Sequence, residues 1–398
     1  MKILELQIKG FRSLKDVTWK PGDLNVIIGP NGSGKSNLLR ILELIAVSAQ
    51  GRLGKHIQTL GGIEPLLWDG RVTEISWKIE TSPIDHWRNQ MRESLTYQAT
   101  LAQIGKSSTY RVGREVLGNY YRVQTGEKPD PFKLIDRLDK KANIFDENEH
   151  RFVAPEESFS EDETLLSLAT GPFGYNKLIP LYRRELAAWT VYHDLHVNRD
   201  SPIRQASVAR LEKRVDPDGQ NLISVLHTLY TGNRDFKHEI NAAMNAAFGD
   251  DFEELVFPPA SDQRIQLRLR WKSLKREQSA ADISDGTLRF LFLLTVLASP
   301  EAAPLIAIDE PETGLHPSML PVVAEYAVNA ARRSQIILAT HSPQLLDAFK
   351  QQTPGTTIAL QQNGQTVLNV LADDKLQDWL KGYSLGSLFK SGELESLE

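Results

Sequence analysis

Residues 29 to 36 read Gly-Pro-Asn-Gly-Ser-Gly-Lys-Ser, a spacing suited to phosphate chemistry. Gly29, Gly32 and Gly34 leave room for successive backbone N–H groups to turn inward around phosphate oxygens, with Pro30, Asn31, Ser33 and Asn37 completing the cradle. Lys35 can reach the β- and γ-phosphates of a nucleotide as a point charge, and the Ser36 hydroxyl can ligate Mg²⁺. A second set lies at 305 to 312, Leu-Ile-Ala-Ile-Asp-Glu-Pro-Glu, an apolar run ending in acids. Asp309 can hold Mg²⁺ through water, and Glu310 can polarise an attacking water for in-line transfer. Two weaker signals accompany these. Ser284-Asp285-Gly286 opens a helix, where Ser284 caps and Gly286 permits close approach of a ligand, although a plain Ser/Asp cap explains the motif in isolation. Thr340-His341-Ser342-Pro343 places His341 at a strand end, where it can contact a γ-phosphate. A lone histidine is more often a satisfied polar residue.

Such residues need elements to hold them. Leu24 to Ile28 is a short apolar strand and Asn37 to Leu44 is amphipathic, so the glycine loop lies between strand and helix. Residues 3 to 9 and 14 to 19 read as strands. Strict alternation over 71 to 80 predicts a half-buried antiparallel strand, with further strands at 95–104 and 110–116. From 125 to 163 the chain is polar and charged, which predicts a solvated excursion. Helices are predicted at 178–196, 220–230 and 236–248, and strands at 253–257 and 264–271. The last third alternates helix (286–298, 317–331, 343–349) with strand (305–308, 335–339, 356–360), the pattern of a parallel, doubly wound sheet.

The expected fold is therefore α/β, a nucleotide-binding P-loop fold with a mixed sheet, antiparallel N-terminal strands and a helical insertion. The chain divides into 1–125 with the glycine loop, 126–262 as a mainly helical insertion or lid, and 263–398 with the remaining motifs. At 398 residues with 41% apolar and 24% charged residues, the chain is globular in composition. Its net charge of −5 confines any nucleic-acid site to a local patch. The absence of cysteine excludes disulfides and thiolate chemistry and fits a reducing cytoplasm. No apolar run suits a signal peptide or a bilayer span, so no membrane role is expected.

The order of these motifs is recognisable. Gly29–Ser36, Ser284–Gly286, Asp309–Glu310 and His341 resemble the Walker A, signature, Walker B and H-switch of an ABC-type ATPase. Lys9-Gly10-Phe11-Arg12-Ser13-Leu14-Lys15, the run Asp309-Glu310-Pro311-Glu312-Thr313-Gly314-Leu315-His316-Pro317 and the segment Thr340–Leu346 narrow it. So do Asp218–Leu222, Leu385–Leu388 and Ser391-Gly392. The chain resembles the RecF/SMC-like ATPases of bacteria, the branch that includes OLD-type and related anti-phage systems. The resemblance implies a homodimer with ATP and Mg²⁺ held between the glycine loop of one copy and the signature of the other. Lys35, Ser36 and Asp309 would bind phosphate and metal, and Glu310 would be the base. Ser284 and Gly286 would meet the partner copy's γ-phosphate, His341 would sense it, and Arg12 would reach the nucleotide from the first strands. The function implied is a DNA-directed process in anti-phage defence or DNA repair. The alternative is an ATP-gated scaffold controlling a separate nuclease or toxin.

The sequence also departs from the pattern. Ser-Asp-Gly replaces the ideal Ser-Gly-Gly, which predicts slow or partner-dependent hydrolysis. Gln58 and Gln90 are the candidates for a Q-loop glutamine. No coiled-coil arm fills the stretch between Ser36 and Ser284, which argues against SMC or RecN function, and a nuclease domain is expected on a separate polypeptide. Arg264, Arg268, Arg270, Lys272, Lys275 and Arg276 with Trp271 form a basic cluster. It reads either as a solvated strand face or as a phosphate-contacting stripe for DNA.

Overall fold

The computed structural model describes residues 1–84, 92–121, 130–155, 158–168, 176–350, 352–371 and 383–392. In chain order the strands begin with β1 (Ile3–Phe11), β2 (Leu14–Trp19) and β3 (Leu24–Ile28). Helices α1 (Lys35–Gln50) and α2 (Leu53–Thr59) follow. Next come β4 (Glu74–Thr81), β5 (Arg92–Gln103), β6 (Tyr110–Tyr121), β7 (Phe132–Leu138), β8 (Lys141–Asp146) and β9 (Arg151–Val153). The middle of the chain holds α3 (Leu178–Ala187), β10 (Thr190–Tyr192), β11 (Ser207–Val208), α4 (Leu222–Gly232), α5 (Arg234–Phe248) and β12 (Phe252–Val256). After β13 (Arg264–Ile265), β14 (Arg268–Trp271) and β15 (Gln278–Ser279) come α6 (Asp285–Ala298), β16 (Leu305–Asp309), α7 (Leu320–Ala330) and β17 (Gln335–Ala339). The last elements are α8 (Pro343–Ala348), β18 (Gly355–Gln362), β19 (Gln365–Val370) and α9 (Leu385–Ser391).

These elements form two compact units. The first comprises Met1–Gly22, Ile28–Trp189 and Thr357–Val370. Its main feature is an antiparallel sheet of eight strands in the order β2-β1-β4-β5-β6-β7-β8-β9. The burial of β4 alternates along its length, as its sequence requires for a strand with one covered face. Trp19, Trp77, Tyr97 and Tyr182 are among the largest fully buried side chains of this unit. The second unit comprises Asp23–Ile27, Thr190–Thr356 and Leu371–Glu398. Its strands run parallel in the order β10-β16-β17-β3. All five residues of β17 and the first four of β16 are buried, the continuous apolar run of a strand covered on both faces.

The structure corrects the expectations in four places. Residues 132–153, read as a solvated excursion, form β7, β8 and β9 and extend the antiparallel sheet. The central charge of this stretch is consumed internally. Arg137 is fully buried and donates to the carbonyl oxygens of Asp139 (3.0 Å) and Glu163 (2.8 Å). The equally buried Glu115 lies 3.9 Å from it and accepts from the backbone N–H groups of Leu165 (2.7 Å) and Leu166 (2.9 Å). Burial pushes the Glu115 carboxyl up. The predicted helix over 178–196 ends at Ala187, and Thr190–Tyr192 is instead a parallel edge strand beside β16. The predicted strand 264–271 is broken in two. Finally, β19 pairs with β18 through a hairpin turning at Asn363-Gly364, both with positive φ (51° and 75°) as a two-residue type I′ turn requires. No helix among the described residues is long and apolar enough to cross a membrane.

Candidate functional site

In the first unit the chain passes from Ile28 directly into the glycine loop. Gly29, Gly32 and Gly34 have φ of 145°, 79° and 101°, open to glycine without strain. A Cβ on Gly29 would strike the carbonyl oxygen of Ala359, and one on Gly34 the hydroxyl of Thr366, whereas Gly32 faces open space. Helix α1 begins at Lys35 with Gly34 as its N-cap and no capping side chain. The positive end of its dipole is thus left to an anion from outside. The Ser33 hydroxyl is buried with no hydrogen-bond partner. Lys35 is buried, and its Nζ donates to the carbonyl oxygens of Gly29 (2.7 Å) and Pro30 (3.0 Å), so the ammonium already arches over the loop. An uncapped helix start, an orphaned hydroxyl and an overarching lysine fit the phosphates of a nucleotide.

The loop is braced by Asn37, by Ser13 of the N-terminal motif and by Thr366, which sequence reasoning missed. Asn37 Nδ2 donates to Ser13 Oγ (2.8 Å), and the Ser13 and Thr366 hydroxyls lie 2.7 Å apart. The Thr366 hydroxyl also reaches the Ser33 carbonyl oxygen at 2.9 Å. Thr366 comes from the unanticipated β19, for which the Asn363-Gly364 pair was the available signal.

The second unit carries the acids. Asp309 ends β16 opposite Ala339, the last residue of β17. Glu310 donates its backbone N–H to the Ala339 carbonyl (2.8 Å) and has φ of 48°. That left-handed conformation is strained for glutamate and is typical of functional positions. His341 Nδ1 lies 3.2 Å from Glu310 Oε1 and 3.9 Å from Glu312 Oε1. Glu312, named in the sequence only as part of a motif, is the buried member of this group. Its Oε1 accepts from the Thr340 hydroxyl (2.6 Å) and the His341 N–H (3.4 Å), and its Oε2 has no hydrogen-bond partner. Burial pushes its carboxyl up, against the pull of Thr340 and His341. His193, just after β10, places Nδ1 3.8 Å from Asp309 Oδ2. It lies outside every motif, so no sequence signal marked it. A cavity of about 290 Å³ lined by His193, Asp194, Arg289, Phe292, Asp309 and Glu310 opens beside these groups.

Ser284 caps α6, accepting from Thr287 N–H at 3.1 Å. Gly286 serves an internal approach: a Cβ there would lie 2.6 Å from the Gly314 carbonyl oxygen. Arg12 sits in the first unit with φ of 47°, its N–H bonded to the Leu66 carbonyl (2.8 Å). Burial and the neighbouring Arg40 lower its pKa. Gln58 is exposed on α2, and Gln90 lies outside the described residues. Two arginines of the basic stripe are matched by acids. Arg270 pairs with Glu254 (2.6 Å) and Glu277 (2.7 Å), and Arg268 with Glu277 (3.6 Å). Trp271 packs edge-on against Phe248 and Phe252. Arg268 and Arg270 are therefore ion-paired on the strand face.

Comparison with known proteins agrees with this arrangement. The family described as "AAA domain, putative AbiEii toxin, Type IV TA system" matches residues 24–347. An OLD nuclease of Thermus scotoductus is 22% identical over 405 residues, covering 98% of this chain and 69% of that protein. An ATP/GTP phosphatase of Helicobacter pylori is 21% identical over 360 residues, covering 88% of each. Among solved structures, an Smc head bound to the C-terminal winged-helix domain of ScpA superposes with a TM-score of 0.56 at 16% identity, covering 95% of this chain and all (100%) of that one. That likeness is one of fold.

Proposed function

The chain belongs to this AAA-domain family and is an ABC-type ATPase related to RecF, SMC and OLD proteins, and on that premise we propose how its residues work. The loop Gly29–Ser36 with Asn37 holds the triphosphate of ATP, Lys35 neutralises its β- and γ-phosphates, and Arg12 approaches from the first strands. The observation that carries this is the uncapped start of α1 beneath the positive-φ glycines, with the orphaned Ser33 hydroxyl beside it. Ser36 and Asp309 are the residues to hold Mg²⁺. Few protein ligands suffice for that ion, because substrate phosphates and water complete its shell. When bound, Mg²⁺ neutralises charge on the phosphate oxygens. Glu310 accepts the proton of the attacking water, and His341, 3.2 Å from it, orients the carboxylate and senses the γ-phosphate.

In this reading Ser284 and Gly286 of a second copy close over the same ATP, and closure drives a DNA-directed process of defence or repair in the cytoplasm. Lys35→Ala should abolish ATP binding, and Glu310→Gln should accumulate an ATP-bound dimer seen by light scattering. Hydrolysis at the wild-type rate by Glu310→Gln would falsify the assigned base. A second reading has nucleotide state gating a separately encoded nuclease or toxin. The acidic Asp285 in the signature favours it, because a slow hydrolytic cycle suits a switch. Hydrolysis stimulated severalfold by duplex DNA would support the machine. No DNA response together with nucleotide-dependent capture of the effector would support the gate.

A further inference from the structure

One buried cation is unaccounted for by this mechanism. The Arg204 side chain is 5% exposed and lies in the stretch that follows β10. Its Nε donates to the Val197 carbonyl (2.6 Å). Its Nη1 donates to the carbonyl oxygens of Ala280 (3.0 Å) and Ile283 (2.6 Å), with Ala281 at 3.5 Å. Its Nη2 pairs with the Asp285 carboxylate. A single guanidinium thus gathers the irregular turn between β15 and α6, the turn that delivers Ser284 and Gly286.

We propose that Arg204 is the positioning residue of the signature turn and that Asp285 completes it. The inference rests on the reading above, in which Ser284 and Gly286 face the nucleotide of a second copy. Arginine is the side chain that can do this, since its planar fork offers donors in several fixed directions where lysine is a point charge. Without it, carbonyl groups at 280 and 283 would be left buried and unpaired, a costly condition. Asp285 supplies the counter-charge that a buried guanidinium needs, and as the first residue of α6 it also sits favourably at the helix dipole. A glycine there would do neither. The Asp285 of Ser-Asp-Gly is therefore matched to Arg204. The same stretch begins at His193, 3.8 Å from Asp309, so one strap touches the metal-binding acid at one end and clamps the signature turn at the other.

The test uses the full chain and two readouts. By hydrogen exchange, Arg204→Gln should speed exchange of amides 280–289 about tenfold while α1 keeps its protection. Asp285→Asn changes an exposed side chain, leaves folding intact and should give a smaller increase in the same region. In the Glu310→Gln background, Arg204→Gln should abolish ATP-dependent self-association while affinity for a fluorescent ATP analogue stays within about twofold, a split that general destabilisation would not produce. Unchanged exchange at 280–289 in both variants would overturn the clamp. Undiminished ATP-dependent association of the double variant would overturn its link to the signature. Failure of Glu310→Gln alone to associate would count against the dimeric reading, with the exchange arm still deciding the clamp.

Discussion

Thr366→Val tests whether the brace behind the glycine loop sets nucleotide affinity. Thr366 is 3% exposed, and valine matches its shape and its preference for a strand. The backbone bond from Thr366 N–H to the Ser13 carbonyl (2.7 Å) survives the change. What is lost is the hydroxyl, 2.7 Å from Ser13 Oγ and 2.9 Å from the Ser33 carbonyl oxygen. Each such bond contributes about 1 kcal/mol, and a buried acceptor left short adds to the loss, so destabilisation of about 2 kcal/mol is expected. If about half of that is spent loosening residues 33–36, the Kd for ATP rises about fivefold. Urea unfolding at constant m-value reads the first number, and titration with a fluorescent ATP analogue reads the second. Thr366→Ser, which keeps the hydroxyl, should bind as the wild type. A Thr366→Val protein destabilised as expected but with unchanged Kd would refute the idea that this brace organises the loop.

The other predictions concern the second unit. Burial raises the Glu312 carboxyl, so the folded protein retains a proton that the unfolded chain releases. That contribution is full below the ordinary glutamate value of about 4.3 and is lost as pH rises through it to the raised value. Glu312→Gln keeps an acceptor oxygen and removes the titration, so melting temperatures should shift in the variant's favour as pH rises above the ordinary glutamate value. A difference that does not change with pH would count against it. Gly286→Ala puts a methyl 2.6 Å from the Gly314 carbonyl and should cost about 1–3 kcal/mol in thermal unfolding. A neutral result would show that α6 and residues 310–314 can separate freely.

Legibility followed range. The glycine loop, the apolar runs of β16 and β17 and the Ser284 cap are local patterns, readable because a few adjacent residues contain the whole physical reason. Strands β7 to β9 were illegible because Arg137 and Asp136 look solvated in sequence. Their partners, Glu115, Glu163 and Arg114, lie far off in the chain. Strand β10 was hidden inside a helical pattern, since a three-residue edge strand has no period of its own. The basic cluster was only partly legible, for the opposite reason. Its strand is broken after Ile265, and Glu254 and Glu277, which lie outside the run, pair with Arg268 and Arg270. At the site, the motif residues were visible while their supports, Thr366, His193 and Arg204, each act across a long loop closure that no window of sequence spans.

The brace at Thr366 also orders events during synthesis. Residues 29–36 leave the ribosome early, but the side chain that fixes the Ser33 carbonyl follows more than three hundred positions later. At about 5–20 residues per second, roughly 20–70 s separate the start of translation from the appearance of Thr366. Through that interval the nascent glycine loop lacks its backing and should hold nucleotide poorly. Competence to bind nucleotide would then be a property acquired late in synthesis, only once β19 has closed back on this loop.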